Sequence, residues 1–206
     1  MSTIRPTHLA GVLLAMLLAM LLSASPTLAS AADHHASAVF AGGCFWCMEP
    51  PYDELDGVLS TTSGFIGGHV ADPSYEQVVR GGTGHVEAVK VVYDPEVVDY
   101  ATLLEVFWRN VDPLDDGGQF CDRGEAYLTG IFVSNESERE LAEASKQALD
   151  ASGRFEQAIV TPIRERNTFY PAEEYHQNYY QKNPIRYRLY RFNCRRDQRL
   201  AELWDE

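Results

Sequence analysis

Two cysteines, Cys44 and Cys47, are the residues of this sequence whose type and spacing most directly suggest chemistry. They follow a short apolar run and two glycines, and a helical pattern begins at Cys44. A thiol at a helix start faces unpaired N–H groups and the positive end of the helix dipole, which lower its pKa from about 8.5. The pattern therefore predicts that Cys44 is a nucleophile. Cys47, one helical turn away, is placed to attack an oxidised Cys44.

The C-x-x-C spacing alone is also typical of two buried core cysteines or of a structural disulfide. Phe45 and Trp46, between the two cysteines, are by themselves typical of core aromatics. The chain has four cysteines, and an even number in an exported protein allows two structural disulfides, Cys44–Cys47 and Cys121–Cys194. A redox role and a structural role both remain open on this pattern.

Glu87 is the candidate proton donor. The run Val86–Val92 predicts a strand, and its alternation places Glu87 on one face with two valines. A carboxyl group among apolar side chains is desolvated, so its pKa rises and it can stay protonated near neutral pH as a general acid. The alternative is a carboxylate that pairs with Lys90 or Arg80, or that points to solvent.

Several longer strings surround these residues. They are Gly-Cys-Phe-Trp at 43–46, Gly-Gly-Thr-Gly-His-Val-Glu-Ala at 81–88, Gly-Gln-Phe-Cys-Asp-Arg-Gly at 118–124 and Ala-Glu-Glu-Tyr-His-Gln at 172–177. Together they resemble the signatures of the A-type peptide methionine sulfoxide reductases, in a version with a second cysteine. The resemblance covers about residues 38 to 200.

The resemblance implies roles for particular side chains. Tyr75 and Tyr127 match tyrosines that donate hydrogen bonds to the sulfoxide oxygen, and Asp122 matches an aspartate that shapes the site. Phe45 and Trp46 match the apolar wall that receives the substrate methyl group. The implied catalytic residues are therefore Cys44, Glu87, Tyr75, Tyr127 and Asp122.

The activity implied is reduction of methionine S-sulfoxide, free and in proteins, through a cysteine sulfenic acid and then an intramolecular disulfide. No metal or organic cofactor is expected, and a thioredoxin-like protein is the expected reductant. Proximity favours Cys47 as the resolving cysteine. Cys194, on a basic tail that we predict to be flexible, and Cys121 are the alternatives. The main alternative function is a general thiol–disulfide oxidoreductase that uses the C-x-x-C pair.

The N-terminal segment is typical of a secretory signal peptide. Arg5 precedes the uncharged apolar run Leu9–Leu22, and small residues follow up to Ala31. An uncleaved membrane anchor is the alternative, but the run is shorter than the roughly 20 residues that a spanning helix needs. We therefore expect a cleaved signal peptide over 1–31, a disordered lead-in over 32–37 and a single reductase domain over 38–206. The mature protein is expected in the periplasm or secreted, without membrane attachment.

The whole chain has 206 residues, of which 45% are hydrophobic, which suits one globular domain. Its formal net charge of −13 argues against nucleic acid as a partner. Separately, we expect a monomer. Short strands alternate with helical segments, which predicts an α+β domain. The resemblance implies a two-layer α/β sandwich on a mixed, mostly antiparallel sheet.

Two helices are predicted from their start signals. A capping box at Ser137 and Glu140 predicts a helix to about Ser152. Pro171, followed by two glutamates, predicts a helix to about Lys182.

Overall fold

A central strand, β1 (Ala36–Gly42), organises residues 35–205, the part of the chain that the computed structural model describes. The predicted signal peptide and residues 32–34 of the predicted lead-in lie outside the described residues. Ala36 and Ser37 belong to β1, because they pair with Tyr93 and Val92 of the neighbouring strand. The domain thus begins inside the stretch 32–37 that was predicted to be disordered.

Six of the strands in the described region form one mixed sheet, in the order β7-β6-β1-β3-β2-β8, and the remaining two form a small hairpin. All neighbours in the sheet are antiparallel except β6 and β7. The predicted α+β class and the mostly antiparallel sheet are confirmed. Beside β1, the strands are β2 (Val58–Ile66), β3 (Val86–Tyr93), β4 (Gly118–Gln119), β5 (Asp122–Arg123), β6 (Thr129–Val133), β7 (Ile163–Glu165) and β8 (Tyr170–Pro171).

The helices begin at polar caps or at turns. Asp99 accepts a hydrogen bond from the Thr102 N–H at 2.8 Å, and Asn135, rather than the predicted Ser137, caps the long helix that follows β6. No helix within residues 35–205 has the length and apolar character needed to cross a membrane. The helices are α1 (Phe45–Asp53), α2 (Tyr75–Arg80), α3 (Tyr100–Arg109), α4 (Glu136–Ala151), α5 (Tyr179–Lys182), α6 (Pro184–Asn193) and α7 (Arg196–Trp204), with 3₁₀ turns at Glu125–Tyr127 and Glu174–His176.

The main core lies between the sheet and helices α1 and α3. Phe40 of β1 is fully buried, and its ring stacks on Tyr52 at 5.4 Å and on Phe107 at 5.5 Å. The opposite face of the sheet buries a smaller cluster that includes Val39 and Phe132. The alternation of β1 therefore separates two layers and fixes the end of the strand, at Gly42, beside the start of α1.

The predicted helix from Pro171 to Lys182 is wrong for most of its length. Pro171 lies in β8 opposite Gly64, and the side chain of Gln177 bonds to both the N–H and the carbonyl of Ser63 at 2.9 Å. These long-range bonds hold an irregular segment against β2. A regular helix forms only from Tyr179 onward.

The C-terminal region is also ordered, contrary to the predicted flexible tail. Helices α6 and α7 follow one another, and Arg196, the first residue of α7, is 1% exposed. Its guanidinium donates to the carbonyl oxygens of Gly42 at 3.2 Å and Asn110 at 2.6 Å. A buried, hydrogen-bonded arginine thus fixes the C-terminal helices beside the end of β1.

Candidate active site

Cys44 lies at the corner where β1 turns into α1, as the pattern predicts. It is the N-cap residue of α1, and its carbonyl accepts the Cys47 N–H at 3.0 Å. Gly43 precedes it with a φ of +76°, and a β-carbon there would come within 2.5 Å of Gln119. Only glycine suits that close approach and that backbone conformation. The corner holds the Cys44 thiol at the helix start, where it is 5% exposed.

The two thiols are both buried from solvent. Burial raises the pKa of Cys44 well above its ordinary value, and the neighbouring Cys47 adds to the increase. The interaction with Cys44 lowers the pKa of Cys47 to about 6, with help from Arg196 and Arg191. The predicted lowering of the Cys44 pKa is thus wrong for the resting site, because burial outweighs the helix dipole. Of the two thiols, Cys47 therefore has the lower pKa.

Glu87 reaches the same helix start from β3. It is 1% exposed, on the face of the strand that also buries Val89 and Val91, as predicted. Its Oε2 accepts the Phe45 N–H at 3.0 Å, and burial raises its pKa well above the ordinary value. Its described hydrogen bond therefore goes to α1 rather than to Lys90 or Arg80. A carboxyl group with a raised pKa holds its proton to higher pH, so Glu87 can serve as a proton donor at this helix start.

Tyr75 and Tyr127 meet near Glu87 from separate segments, the start of α2 and the 3₁₀ turn before β6. Their hydroxyl groups lie near enough to influence each other's pKa. Burial is the main cause that raises the pKa of Tyr75 to about 12 and that of Tyr127 further, and Glu87 adds to both shifts. Both side chains therefore remain protonated at neutral pH and can donate hydrogen bonds to an oxygen placed between them and Glu87.

The predicted apolar wall consists of one buried ring and one partly exposed ring. Phe45 is 1% exposed and packs 5.0 Å from the His176 ring, whereas Trp46 is partly buried. The indole of Trp46 stacks on Tyr179 at 3.7 Å and donates to Nδ1 of His176 at 3.1 Å. Burial lowers the pKa of His176 to about 4, so the imidazole stays neutral and accepts this bond. Trp46 is thus the more exposed ring of the pair.

Asp122 faces the site beneath a residue that sequence reasoning missed, Tyr190 of α6. The Tyr190 hydroxyl donates a hydrogen bond to the Asp122 carboxylate, and Tyr190 also lowers the pKa of Cys44. The Tyr190 ring meets Trp46 edge-on, with centroids 5.7 Å apart. The aromatic string in the C-terminal region was the signal for this residue, but the region was predicted to be flexible.

The four cysteines fall into one oxidised pair and one reduced pair. Cys121 and Cys194 form a disulfide, whereas Cys44 and Cys47 are free. Cys194 is buried at the end of α6, so the alternative in which a mobile Cys194 swings toward Cys44 is wrong for this structure. Of the three candidates for the resolving role, Cys47 is the free thiol that contacts Cys44.

Glu49 is a second residue that sequence reasoning missed. It lies on α1, is fully buried, and its Oε1 accepts the Asn178 N–H at 3.3 Å. Burial raises its pKa to about 7. Its position shortly after Cys47 on the same helix was the available signal. The contact fixes the segment that leads into Tyr179, the stacking partner of Trp46.

Comparison with known proteins agrees with this geometry. The family profile described as Peptide methionine sulfoxide reductase matches residues 36–206. Peptide methionine sulfoxide reductase MsrA of Bacillus pumilus is 51% identical over 169 residues, which are 82% of this chain and 95% of that protein. The protein of the same name from Streptococcus agalactiae serotype III is 52% identical over 167 residues, which are 81% of this chain and 98% of that protein.

Solved structures show the same fold. Mxr1 from Saccharomyces cerevisiae in its reduced form has a TM-score of 0.67 and 32% identity, over 73% of this chain and 87% of that chain. Methionine sulfoxide reductase A of Corynebacterium diphtheriae has a TM-score of 0.67 and 30% identity, over 75% and 78% of the two chains. These matches do not favour a general thiol–disulfide oxidoreductase. The chain is an oxidoreductase that belongs to the peptide methionine sulfoxide reductase family.

Proposed function

We propose that this enzyme reduces the S epimer of methionine sulfoxide, free and in proteins, with Cys44 as the nucleophile and Glu87 as the proton donor. The observation that carries the proposal is the hydrogen bond from the Phe45 N–H to Glu87, 3.0 Å long. It holds a buried, neutral carboxyl group at the helix start where Cys44 lies. Sulfoxide reduction needs this combination, because the oxygen must be protonated while a thiolate attacks the sulfur.

The first half of the reaction consumes the sulfoxide. Cys44 passes its proton to Cys47, and the resulting thiolate attacks the sulfoxide sulfur. Glu87 gives a proton to the sulfoxide oxygen, while the hydroxyls of Tyr75 and Tyr127 donate hydrogen bonds to it. The S–O bond then breaks as the hydroxyl group moves to Cys44, so methionine leaves and Cys44 becomes a sulfenic acid.

The second half restores the thiols. Cys47 attacks the Cys44 sulfenic acid, water leaves and a Cys44–Cys47 disulfide forms. An external dithiol then donates two electrons and two protons and becomes a disulfide itself. We propose a thioredoxin-like protein as this dithiol. The support for Cys47 is its position one turn from Cys44, whose carbonyl accepts the Cys47 N–H at 3.0 Å, and the fact that Cys121 and Cys194 are bonded to each other.

We also propose that the enzyme acts outside the cytoplasm, as a monomer in the periplasm or secreted, where it repairs oxidised exported proteins. The support is the signal-like pattern of residues 1–31 and the Cys121–Cys194 disulfide, because disulfides persist mainly in oxidising compartments. Cell fractionation with N-terminal sequencing of the mature protein tests this. Recovery of the full-length chain in the cytoplasm would contradict it.

A stereospecific assay tests the reaction. With dithiothreitol as reductant, the enzyme is expected to reduce the S epimer of methionine sulfoxide and leave the R epimer unchanged, and Cys44→Ser is expected to be inactive. Reduction of the R epimer alone, or full activity in Cys44→Ser, would contradict the proposal. Rapid reduction of insulin disulfides without sulfoxide reduction would instead indicate the general thiol–disulfide activity.

A further inference from the structure

The Cys121–Cys194 disulfide joins two segments that both belong to the active site. Cys121 lies in the turn between β4 and β5, directly before Asp122, and Cys194 is the C-cap residue of α6. The two cysteines are 73 residues apart in the chain. The sulfurs of both cysteines and a carboxylate oxygen of Asp122 lie within 4.8 Å of one another. The disulfide thus lies beside Asp122 and is separate from the free thiols Cys44 and Cys47.

A second link runs beside the disulfide between the same two segments. Tyr190 lies one helical turn before Cys194, whose N–H donates to the Tyr190 carbonyl at 2.9 Å. The Tyr190 hydroxyl donates to Asp122, the residue that follows Cys121. The covalent link and the hydrogen bond are therefore offset by one residue on the hairpin and by one turn on α6. A closed disulfide therefore limits the positions that the Tyr190 hydroxyl can adopt relative to Asp122.

Helix α6 brings two particular side chains, Tyr190 and Arg191, to the active site. The Tyr190 ring meets Trp46 edge-on, its hydroxyl bonds to Asp122, and Arg191, the next residue, adds positive charge near Cys47. Arg196 anchors the chain beyond the disulfide, and its guanidinium lies 4.4 Å from the Phe120 ring centroid. That anchor holds the start of α7, whereas the disulfide holds the end of α6, where Tyr190 lies.

We propose that the Cys121–Cys194 disulfide stays closed during turnover and positions Tyr190 on Asp122 beside Cys44. Tyr190 is then a positioning residue that acts through Asp122, and the disulfide is the element that keeps it there. This inference rests on the proposed function of Cys44. It assigns the two cysteine pairs to separate tasks, with Cys44 and Cys47 exchanging electrons and Cys121 and Cys194 holding the helix.

A double-mutant cycle tests the inference, with free methionine S-sulfoxide as substrate and the single-turnover rate of methionine release as the readout. Tyr190→Phe removes the hydroxyl, Cys121→Ser/Cys194→Ser removes the disulfide, and a third variant combines both changes. Each of the first two is expected to slow release roughly 10-fold, the typical effect of losing a hydrogen bond to a charged group. The combined variant is expected to be no more than about 2-fold slower than either, because both changes remove one interaction.

Tyr180→Phe is the matched control. It removes a tyrosine–carboxylate hydrogen bond of 2.9 Å, to Asp53, that does not involve the site. This variant is expected to release methionine at the wild-type rate. A second readout is the pH midpoint of Cys44 alkylation, which is expected to rise in Tyr190→Phe because Tyr190 lowers the Cys44 pKa, and to stay unchanged in Tyr180→Phe.

Three results would overturn the inference. The first is a wild-type rate in Tyr190→Phe, which retains the disulfide and so remains informative even if the disulfide-free variant does not fold. The second is independent, multiplicative effects of the two changes. The third is a disulfide-free variant that releases one methionine per enzyme but stalls with a dithiol protein, since the pair would then carry electrons. Failure of the proposed function is distinct, because the wild type would not release methionine or Cys44→Ser would.

Discussion

The carboxyl group of Glu87 accepts the backbone N–H of Phe45 at 3.0 Å, so the proposed proton donor and the proposed nucleophile, Cys44, are held at the same helix start. The bond is made by the backbone of α1 and not by a mobile side chain. The distance between the acid and the thiol therefore depends on the corner formed by β1 and α1. Such preorganisation lets proton transfer and attack occur without rearrangement.

Glu87→Gln is expected to keep the fold and to slow formation of the Cys44 sulfenic acid by roughly 10²- to 10⁴-fold, the usual contribution of a general acid. Burial raises the Glu87 pKa, and the acid is active only while protonated. The wild-type single-turnover rate should therefore fall as pH rises through that raised pKa, and the variant should lack this decrease. Rapid-quench measurement of methionine release tests both points. Wild-type rates in Glu87→Gln across neutral pH would contradict the assignment.

Cys47→Ser is expected to release one methionine per enzyme and then to stop when a thioredoxin-like protein is the reductant. The reason is that the Cys44 sulfenic acid would have no free thiol in contact with it, given the Cys121–Cys194 disulfide. Cys194→Ser is the matched comparison. Normal recycling by Cys47→Ser together with arrest of Cys194→Ser would reverse the assignment of the resolving cysteine.

Glu49 is expected to make stability depend on pH. Its pKa is raised from 4.5 to about 7, so between these values the folded protein binds a proton that the unfolded chain has released. Stability from this group is full below pH 4.5 and is lost as pH rises toward about 7, by about 3 kcal/mol. Glu49→Gln should weaken this decrease, as measured by urea unfolding at pH 4.5, 6 and 7.5. Identical pH profiles for the two proteins would show that the Glu49 pKa is not raised.

Short-range patterns predicted the chemical centre of the site. The two glycines before Cys44 predicted the strand-to-helix corner, and the alternation around Glu87 predicted its buried face, because both features depend on neighbouring residues. Phe45 and Trp46 are neighbours in the sequence, so their closeness in the site could also be predicted. The roles of Tyr75, Tyr127 and Asp122 came only from the family resemblance, because nothing in their local sequence distinguishes them.

Long-range contacts explain what the sequence did not reveal. Gln177 bonds to Ser63, 114 residues away, and this contact overrides the helix signals after Pro171. Arg196 is buried against the end of β1. This contact orders the C-terminal helices, although their basic sequence predicted a flexible tail. The burial of Cys44, which raises its pKa against the helix dipole, likewise comes from segments distant in the chain.

The Cys121–Cys194 disulfide is expected to stabilise the fold, because it closes a loop between residues that are 73 positions apart. Cys121→Ser/Cys194→Ser should lower the free energy of unfolding by roughly 2–5 kcal/mol. The melting temperature should fall by about 5–15 °C for a chain of this size. Cys47→Ser, which opens no disulfide, is the control in calorimetry. An unchanged melting temperature in the double variant would show that the disulfide does not restrict the unfolded chain.

The most direct test of the central claim is to map the thiols by mass spectrometry after one equivalent of methionine S-sulfoxide, with the free thiols alkylated before and after the reaction. The account predicts that Cys44 and Cys47 are free beforehand and joined in a disulfide afterwards, while Cys121–Cys194 is bonded in both samples. Methionine should be released in equal amount to the new disulfide. Release of methionine with Cys44 joined to Cys121 or Cys194, or with Cys44 still free, would contradict the account.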